Sequence, residues 1–319
     1  MDIFLKRGYS GFQKLDAGGQ GNVYRTMKDG KEFAIKVVHV EEPNSNKLDD
    51  DLKRELQIVR NLKHPNCIQV EELFRTKGKI YIVMEFMPNG TIGTEIRHNG
   101  PVCQWKARWW FCPIARAIKY LHEHKIAHRD LKLDNILLDV NFNPILTDFG
   151  FSRFVPIQHG QVVASDTYCG TTSYNPPEIL KQTPYDPFKG DIWCLGVMLF
   201  IMLNQDYPFD RHDKEKMYYH QIHRIYSFQE GIDEKLSSSV KSLVYLLLTP
   251  EPEQRPTIWE VCEHRWFPIV LREAEITQLT SSSKSSSKIK AATKNVERNQ
   301  LWYVGFSYKW SVIYHFVKH

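Results

Sequence analysis

Apolar residues in the first ninety positions fall into short runs, and from Trp105 onward they recur at helical spacing. "FAIKVVHV" (33–40) and "KIYIVMEF" (79–86) are rich in β-branched residues and predict strands. "NVY", which closes "LDAGGQGNVY" (15–24), predicts another. Between them, "KLDDDLKRELQIVRNL" (47–62) sets Leu48, Leu52, Leu56 and Val59 on one helical face. Asp49 to Asp51 open that helix, where carboxylates complement the positive end of the helix dipole. "MPNG" breaks the pattern after Phe86. Three longer segments then predict helices: "WKARWWFCPIARAIKYLHEH" (105–124), "DIWCLGVMLFIMLN" (191–204) and "SSSVKSLVYLLL" (237–248). The expected fold is α+β with two lobes. A small β-rich lobe with one helix (about 12–87) precedes a larger, mainly helical one (about 88–267), with a hinge near Glu85–Gly90.

Composition narrows the class. Of 319 residues, 42% are hydrophobic and 25% charged, a globular balance. The net charge of +5 sits almost wholly at the end of the chain. Residues 281–319 hold seven Lys or Arg against the single acid Glu297, which leaves 35 basic and 36 acidic residues before them. The nearly neutral remainder gives no support for nucleic-acid binding. Six cysteines occur without any C-x-x-C pair, which argues against a zinc site or a disulfide framework and for a reducing compartment. The start, "MDIFLKRGYSGF", lacks the apolar core of a signal peptide, and no uncharged apolar stretch is long enough for a membrane span. The expected location is the cytoplasm, with the nucleus as alternative. A Ser/Lys-rich stretch (277–300) reads as a disordered linker, and the aromatic segment 301–319 as a tail without an assigned role.

The glycines of "LDAGGQGNVY" allow backbone N–H groups to approach an anion, yet alone they fit a hairpin turn better. Lys36 in "FAIK" and Glu55 in the following helix could hold nucleotide phosphates as a clamped pair; each alone is an ordinary surface charge. "IAHRDLKLDNILL" (126–138) and "LTDFG" (146–150) change the balance. Asp130, Lys132, Asn135 and Asp148 set carboxylates, an ammonium and an amide between apolar pieces. Phosphoryl transfer needs those types: a carboxylate to orient a hydroxyl, a cation on the moving phosphate, and oxygen ligands for Mg²⁺.

Glycine loop, "AIK", "HRDLKLDN" and "DFG", in that order, resemble the eukaryotic protein kinases from about Phe12 to Trp266. The resemblance implies the bilobal kinase fold, ATP with Mg²⁺ or Mn²⁺ as cofactors, and protein substrates. By position, Gly18, Gly19 and Gly21 cover the phosphates, and Lys36 binds them while paired with Glu55. Asp130 is the catalytic base, Lys132 steadies the γ-phosphate, Thr171 bridges those two, and Asn135 and Asp148 ligate the metal. Met84 resembles the gatekeeper, and Glu85 and Met87 resemble hinge residues that meet adenine. Leu15, Val23 and Ala34 complete the nucleotide-binding set. Glu178 of "PPE" should pair with Arg255, and Asp191 should prop the catalytic loop. Asp16 departs from the pattern, since a glycine is expected there.

"DLKLDN" and "GTTSY" resemble serine/threonine kinases, and "LTDFGFSR", "YCGTTSYNPPEIL" and "YDPFKGDIWCLGVMLFIML" resemble the calmodulin-dependent-kinase-like group, most closely the testis-specific serine kinases. Thr167, two residues before "CGT", is the expected activating phosphorylation site for an upstream kinase, with Ser165 and Thr172 as neighbouring alternatives. Arg129 and Arg153 are the expected partners of its phosphate. Where arginine-reading kinases carry three acids, this chain has Asp134 but also Thr91 and Ile201, so a basic requirement in substrates should be weak. The alternative from another class is a pseudokinase acting as a binding scaffold, motivated by Asp16.

Overall fold

The computed structural model describes residues 2–18, 21–39, 50–76 and 78–267, with the backbone alone at 2, 16–18, 21 and 50–55. The chain divides into two units, Met1–His264 and Arg265–His319. All elements named below belong to the first. The expected linker and aromatic tail, and the helix start at 47–49, lie outside the described residues.

A short helix α1 (Asp2–Leu5) leads into β1 (Ser10–Gly18), β2 (Gly21–Lys28) and β3 (Lys31–His39). Helix α2 (Asp50–Asn61), β4 (Val70–Thr76) and β5 (Lys79–Glu85) follow. The strands form one antiparallel sheet in the order β1-β2-β3-β5-β4. Side chains alternate along a strand, so the apolar run of β3 serves two faces. Ile35 and Val37, with their partners Val83 and Tyr81, face one side; Ala34 and Lys36, with Met84 and Ile82, face the other. The first face packs with Phe4, Tyr9 and Phe74 into a core. The second carries Lys36, and this register is why one charge stands inside an apolar run.

The pattern of the sequence placed nothing before residue 12, but the first residues are part of this core. The Phe4 ring lies 5.4 Å from Phe12, 5.3 Å from Phe74 and 4.9 Å from Tyr81. Glu72 of β4 draws the sheet's distant segments together. It accepts hydrogen bonds from Arg7 Nη1 (3.1 Å), the Tyr9 hydroxyl (2.9 Å) and Lys28 Nζ (2.7 Å). Burial alone would raise the Glu72 carboxyl's pKa, but the bonds from Lys28 and Tyr9 and the Lys28 charge outweigh it and hold the group below its usual range. A depressed carboxylate stabilises the fold above the unfolded pKa, and that contribution is lost as pH falls through the folded value. Thermal unfolding of Glu72→Gln and wild type should therefore differ most near pH 7 and converge only as the pH falls below the depressed folded value of the Glu72 carboxyl. A gap independent of pH would remove Glu72 from this role.

The second lobe contains α3 (Ile92–Asn99), α4 (Gln104–Glu123), β6 (Ile126–Ala127), β7 (Ile136–Leu138), β8 (Pro144–Leu146) and β9 (Arg153–Phe154). A small hairpin, β10 (Ile157–Gln158) with β11 (Gln161–Val162), precedes α5 (Pro177–Leu180) and α6 (Pro187–Asn204). Then come α7 (Lys214–Ile222), α8 (Ser238–Leu247) and α9 (Ile258–Glu263). From Ile192 to Leu203 helix α6 is apolar around its whole circumference, which suits a helix surrounded by others. Among the described residues it alone is long and apolar enough to cross a membrane, yet 89% of that window is buried within the protein. It starts at Asp186, whose carboxylate caps Phe188 N at 2.8 Å, with Pro187 as the first helical residue.

No strand or helix forms between Glu85 and Thr91. That connection is tied to the β7–β8 hairpin by Leu138 N to Gly90 O (2.8 Å) and Asn89 Nδ2 to Asp139 O (2.7 Å). Leu146 N to Asn66 O (2.8 Å) and Ile68 N to Leu146 O (2.9 Å) add a second tie from β8 to the segment before β4. These bonds hold the sheet against the segments that carry the chemistry.

Candidate active site

Asp130 lies in the loop between β6 and β7 and is almost fully buried. Its Oδ1 accepts from the Thr171 amide (2.9 Å) and hydroxyl (2.8 Å). Its Oδ2 accepts from Lys132 Nζ (2.8 Å) and Asn135 Nδ2 (3.2 Å), and Lys132 Nζ also reaches the Thr171 hydroxyl at 3.0 Å. Burial pushes the Asp130 pKa up, but the hydrogen bonds from Lys132 and Thr171 reverse the shift and lower it. The result is a buried, ionised carboxylate whose orientation is set from both sides.

Two other groups fix the loop from below. Asp191, buried in α6, accepts from Arg129 N (2.9 Å) through Oδ1, and from His128 N (2.9 Å) and His122 Nε2 (2.9 Å) through Oδ2. These bonds hold Arg129 at φ 66°, a backbone region uncommon for residues other than glycine. The His128 ring accepts from Asp130 N at Nδ1 (3.4 Å), so its proton resides on Nε2, which donates to Thr147 O (3.2 Å). Gly170, at φ +92°, packs so close that a Cβ there would come within 2.6 Å of Arg129 O. Only glycine lets the Thr171 segment lie against the catalytic loop. Neither His128 nor Gly170 was singled out from the sequence, because the contacts that give them a role span 19 and 41 residues.

Lys36 points from the second face of the sheet to Asp148, with Nζ 3.4 Å from Oδ1. Asp148 itself has φ 62°, again strained. The side chain of Glu55 lies outside the described residues, as does Gly19, while Gly18 and Gly21 pair where β1 turns toward β2. Val23 lies opposite Lys36, and Ala34 opposite Met84. Ala34 and Met87 are buried, Glu85 and Leu15 exposed.

The oxygens here suit a hard divalent cation. Asn135 Nδ2 donates to the carbonyl (2.9 Å) and carboxylate of Asp130, which leaves its amide oxygen as an acceptor. Asp148 supplies a carboxylate. No group of three His, Cys, Asp or Glu among the described residues forms a cage of its own. Two protein oxygens with the remainder from phosphates and water is the usual arrangement for Mg²⁺ beside a nucleotide.

Beyond the site, Arg153 Nη1 donates to the Thr167 hydroxyl (3.2 Å), and the Tyr185 hydroxyl donates to Thr167 O (3.2 Å). Arg129 Nε is spent on Phe151 O (2.7 Å), whereas its Nη1 is buried without a hydrogen-bond partner. Glu178 and Arg255 form a two-pronged pair at 2.8 and 3.1 Å, with Arg255 fully buried.

The profile of the protein kinase domain matches residues 9–267. Testis-specific serine/threonine-protein kinase 3 of Homo sapiens is 38% identical over 269 residues, covering 83% of this chain and 98% of that protein. Testis-specific serine/threonine-protein kinase 1 of Mus musculus is 35% identical over 288 residues, covering 89% and 78%. CBL-interacting serine/threonine-protein kinase 7 of Arabidopsis thaliana is 32% identical over 279 residues, covering 86% and 64%.

Proposed function

This chain belongs to the protein kinase family and is a serine/threonine protein kinase, and on that premise we propose how its residues divide the reaction, with Mg²⁺ as the cation. The observation that carries the assignment is the Asp130 carboxylate held between Lys132 and Thr171. The acceptor hydroxyl oxygen bonds to the γ-phosphorus of ATP, the bond to the β-phosphate oxygen breaks, and ADP leaves. Asp130 orients the hydroxyl and takes its proton. Lys132, one contact away, meets the transferred group as its charge redistributes. Lys36 holds the phosphates, and Asn135 and Asp148 hold the cation, which supplies charge neutralisation when bound. Val23, Ala34 and Met87 offer apolar surface to the adenine. Purified protein with Mg-ATP and a degenerate peptide library tests this reading directly. Phosphoserine and phosphothreonine should form, and chelation of the metal should stop the reaction; phosphotyrosine alone would overturn it.

Thr167 is the proposed site for an upstream kinase. Its hydroxyl is exposed and already rests on Arg153, and Arg129 has a buried N–H group without an acceptor. A phosphate brings about −1.5 to −2 charge and can accept from both guanidinium groups. Ser165 is a poorer candidate, since its backbone is paired with Tyr185 and its hydroxyl accepts from Thr167 N. One charge-assisted hydrogen bond is worth ~1.5 kcal/mol, about tenfold in rate. Dephosphorylation or Thr167→Ala should lower kcat/KM by at least that factor, and Arg129→Ala should erase most of the difference. Equal activity before and after phosphatase treatment of Thr167-phosphorylated enzyme would exclude the switch. Six free thiols support a reducing compartment, cytoplasm or nucleus, as its location.

A further inference from the structure

A cavity of about 270 Å³ opens beside the catalytic loop, outside the nucleotide-binding groups described above. Leu133 and Asp134, which line it, directly follow Lys132, and Tyr174, also in its wall, is three residues beyond Thr171. A peptide whose hydroxyl reaches Asp130 would place a residue a few positions away in this cavity, since three extended residues span roughly 10 Å. The remaining walls include Ile96, Ile201 and Tyr207.

Asp134, the carboxylate that the catalytic loop contributes to the cavity, is already occupied. Arg97 Nη1 lies 2.8 Å from Asp134 Oδ1, and its Nη2 is backed by the Thr94 hydroxyl at 3.3 Å. Gly93 makes the closure possible, because a Cβ there would come within 2.8 Å of that carboxylate oxygen and 3.2 Å of Arg97 Nη1. The two other positions where an acid could assist are spent or apolar. Thr91 caps α3 through its hydroxyl, accepting Thr94 N at 3.0 Å, and Ile201 is buried. Asp206 and Arg211 also line the cavity, one of each sign.

We propose that Arg97 is a specificity-determining residue: a built-in cation that masks Asp134, so that the cavity takes a neutral, apolar side chain of the substrate rather than a basic one. The proposal rests on the reading of this chain as a kinase acting on peptides. The physical basis is competition. An exposed ion pair contributes little to stability, but Arg97 is tethered one helix away from Asp134, and a substrate guanidinium must displace it at a much lower effective concentration. With Asp134 paired, the apolar part of the mixed wall then decides the preference.

The test uses the full chain and peptides with a single serine, varied one position at a time to leucine, arginine or glutamate. Both kcat/KM and peptide Kd by fluorescence anisotropy are measured. At one position wild type should favour leucine over arginine. Arg97→Ala should shift that ratio toward arginine by up to about fivefold, the strength of one exposed ion pair, through KM and Kd rather than kcat. Arg97→Lys should keep the wild-type profile, and Asp134→Asn added to Arg97→Ala should abolish the gain. A ratio unmoved by Arg97→Ala at every position, or a wild-type preference for arginine, would overturn the proposal. Anisotropy needs no turnover, so a shifted Kd without phosphorylation would count against the kinase reading while leaving this one standing.

Discussion

Lys36→Met and Asp148→Asn are each expected to reduce phosphoryl transfer by about 10²–10³-fold or more while the protein stays folded. Both side chains come from elements fixed by many other contacts. Lys36 is set by the pairing of β3 with β2 and β5, and Asp148 by the loop after β8. Neither substitution changes side-chain volume greatly, and both groups retain some solvent access, at 15% and 22% relative exposure. Their proposed role is made on phosphate or its cation, where charge redistributes as the transferred group moves. Interactions that strengthen at that moment govern kcat, whereas those made equally in the ground state change KM alone. The expected signature is thus a fall in kcat with circular dichroism and thermal unfolding close to wild type. Wild-type-like turnover in either variant would refute the assignment.

The largest effect on stability is expected at Arg255. Its guanidinium is fully buried and donates to both Glu178 oxygens, to Thr249 O (2.9 Å), Lys189 O (2.7 Å) and Pro250 O (3.0 Å), over the face of Trp193 at 5.1 Å. Arg255→Leu would strand a nearly buried carboxylate and three carbonyls. Removing one partner of such a pair costs about 3–5 kcal/mol, which for a domain of this size corresponds to a fall in Tm of roughly 10 °C. Glu178→Gln should act in the same direction, because it leaves the guanidinium charge uncompensated. The pair itself is a different matter: desolvation consumes most of its attraction, so Glu178→Leu with Arg255→Met should recover part of the loss. Additive losses in the double variant would mean that the two residues act independently. The contact ties α5, just beyond Thr171, to the segment before α9. The same contact also fixes the position of the segment between Thr171 and α5.

Local order in the chain made much of this protein legible. The strand of β3 follows from its apolar, β-branched run, and α4 from the helical spacing of its apolar positions, because both patterns depend only on neighbours a few residues apart. Asp130, Lys132 and Asn135 were legible for the same reason, since one six-residue stretch, 130–135, holds all three. The pairings of Thr171 with Asp130 and of Glu178 with Arg255 came through the resemblance to kinases; no spacing or periodicity announces them.

What tertiary structure alone decided are the contacts made by closing long stretches of chain. Glu72 meets Arg7, Tyr9 and Lys28 only because the sheet curls its distant segments together, so the first residues become core. Arg129 and Asp148 adopt positive φ because Asp191 and the packed loops outweigh the local backbone preference. Arg97 reaches Asp134 across 37 residues, and the glycine that permits it looks unremarkable in sequence. Periodicity records which side of an element is buried. It carries no information about which side chain from another element arrives there, and that arrival sets the charge, strain and selectivity of the site.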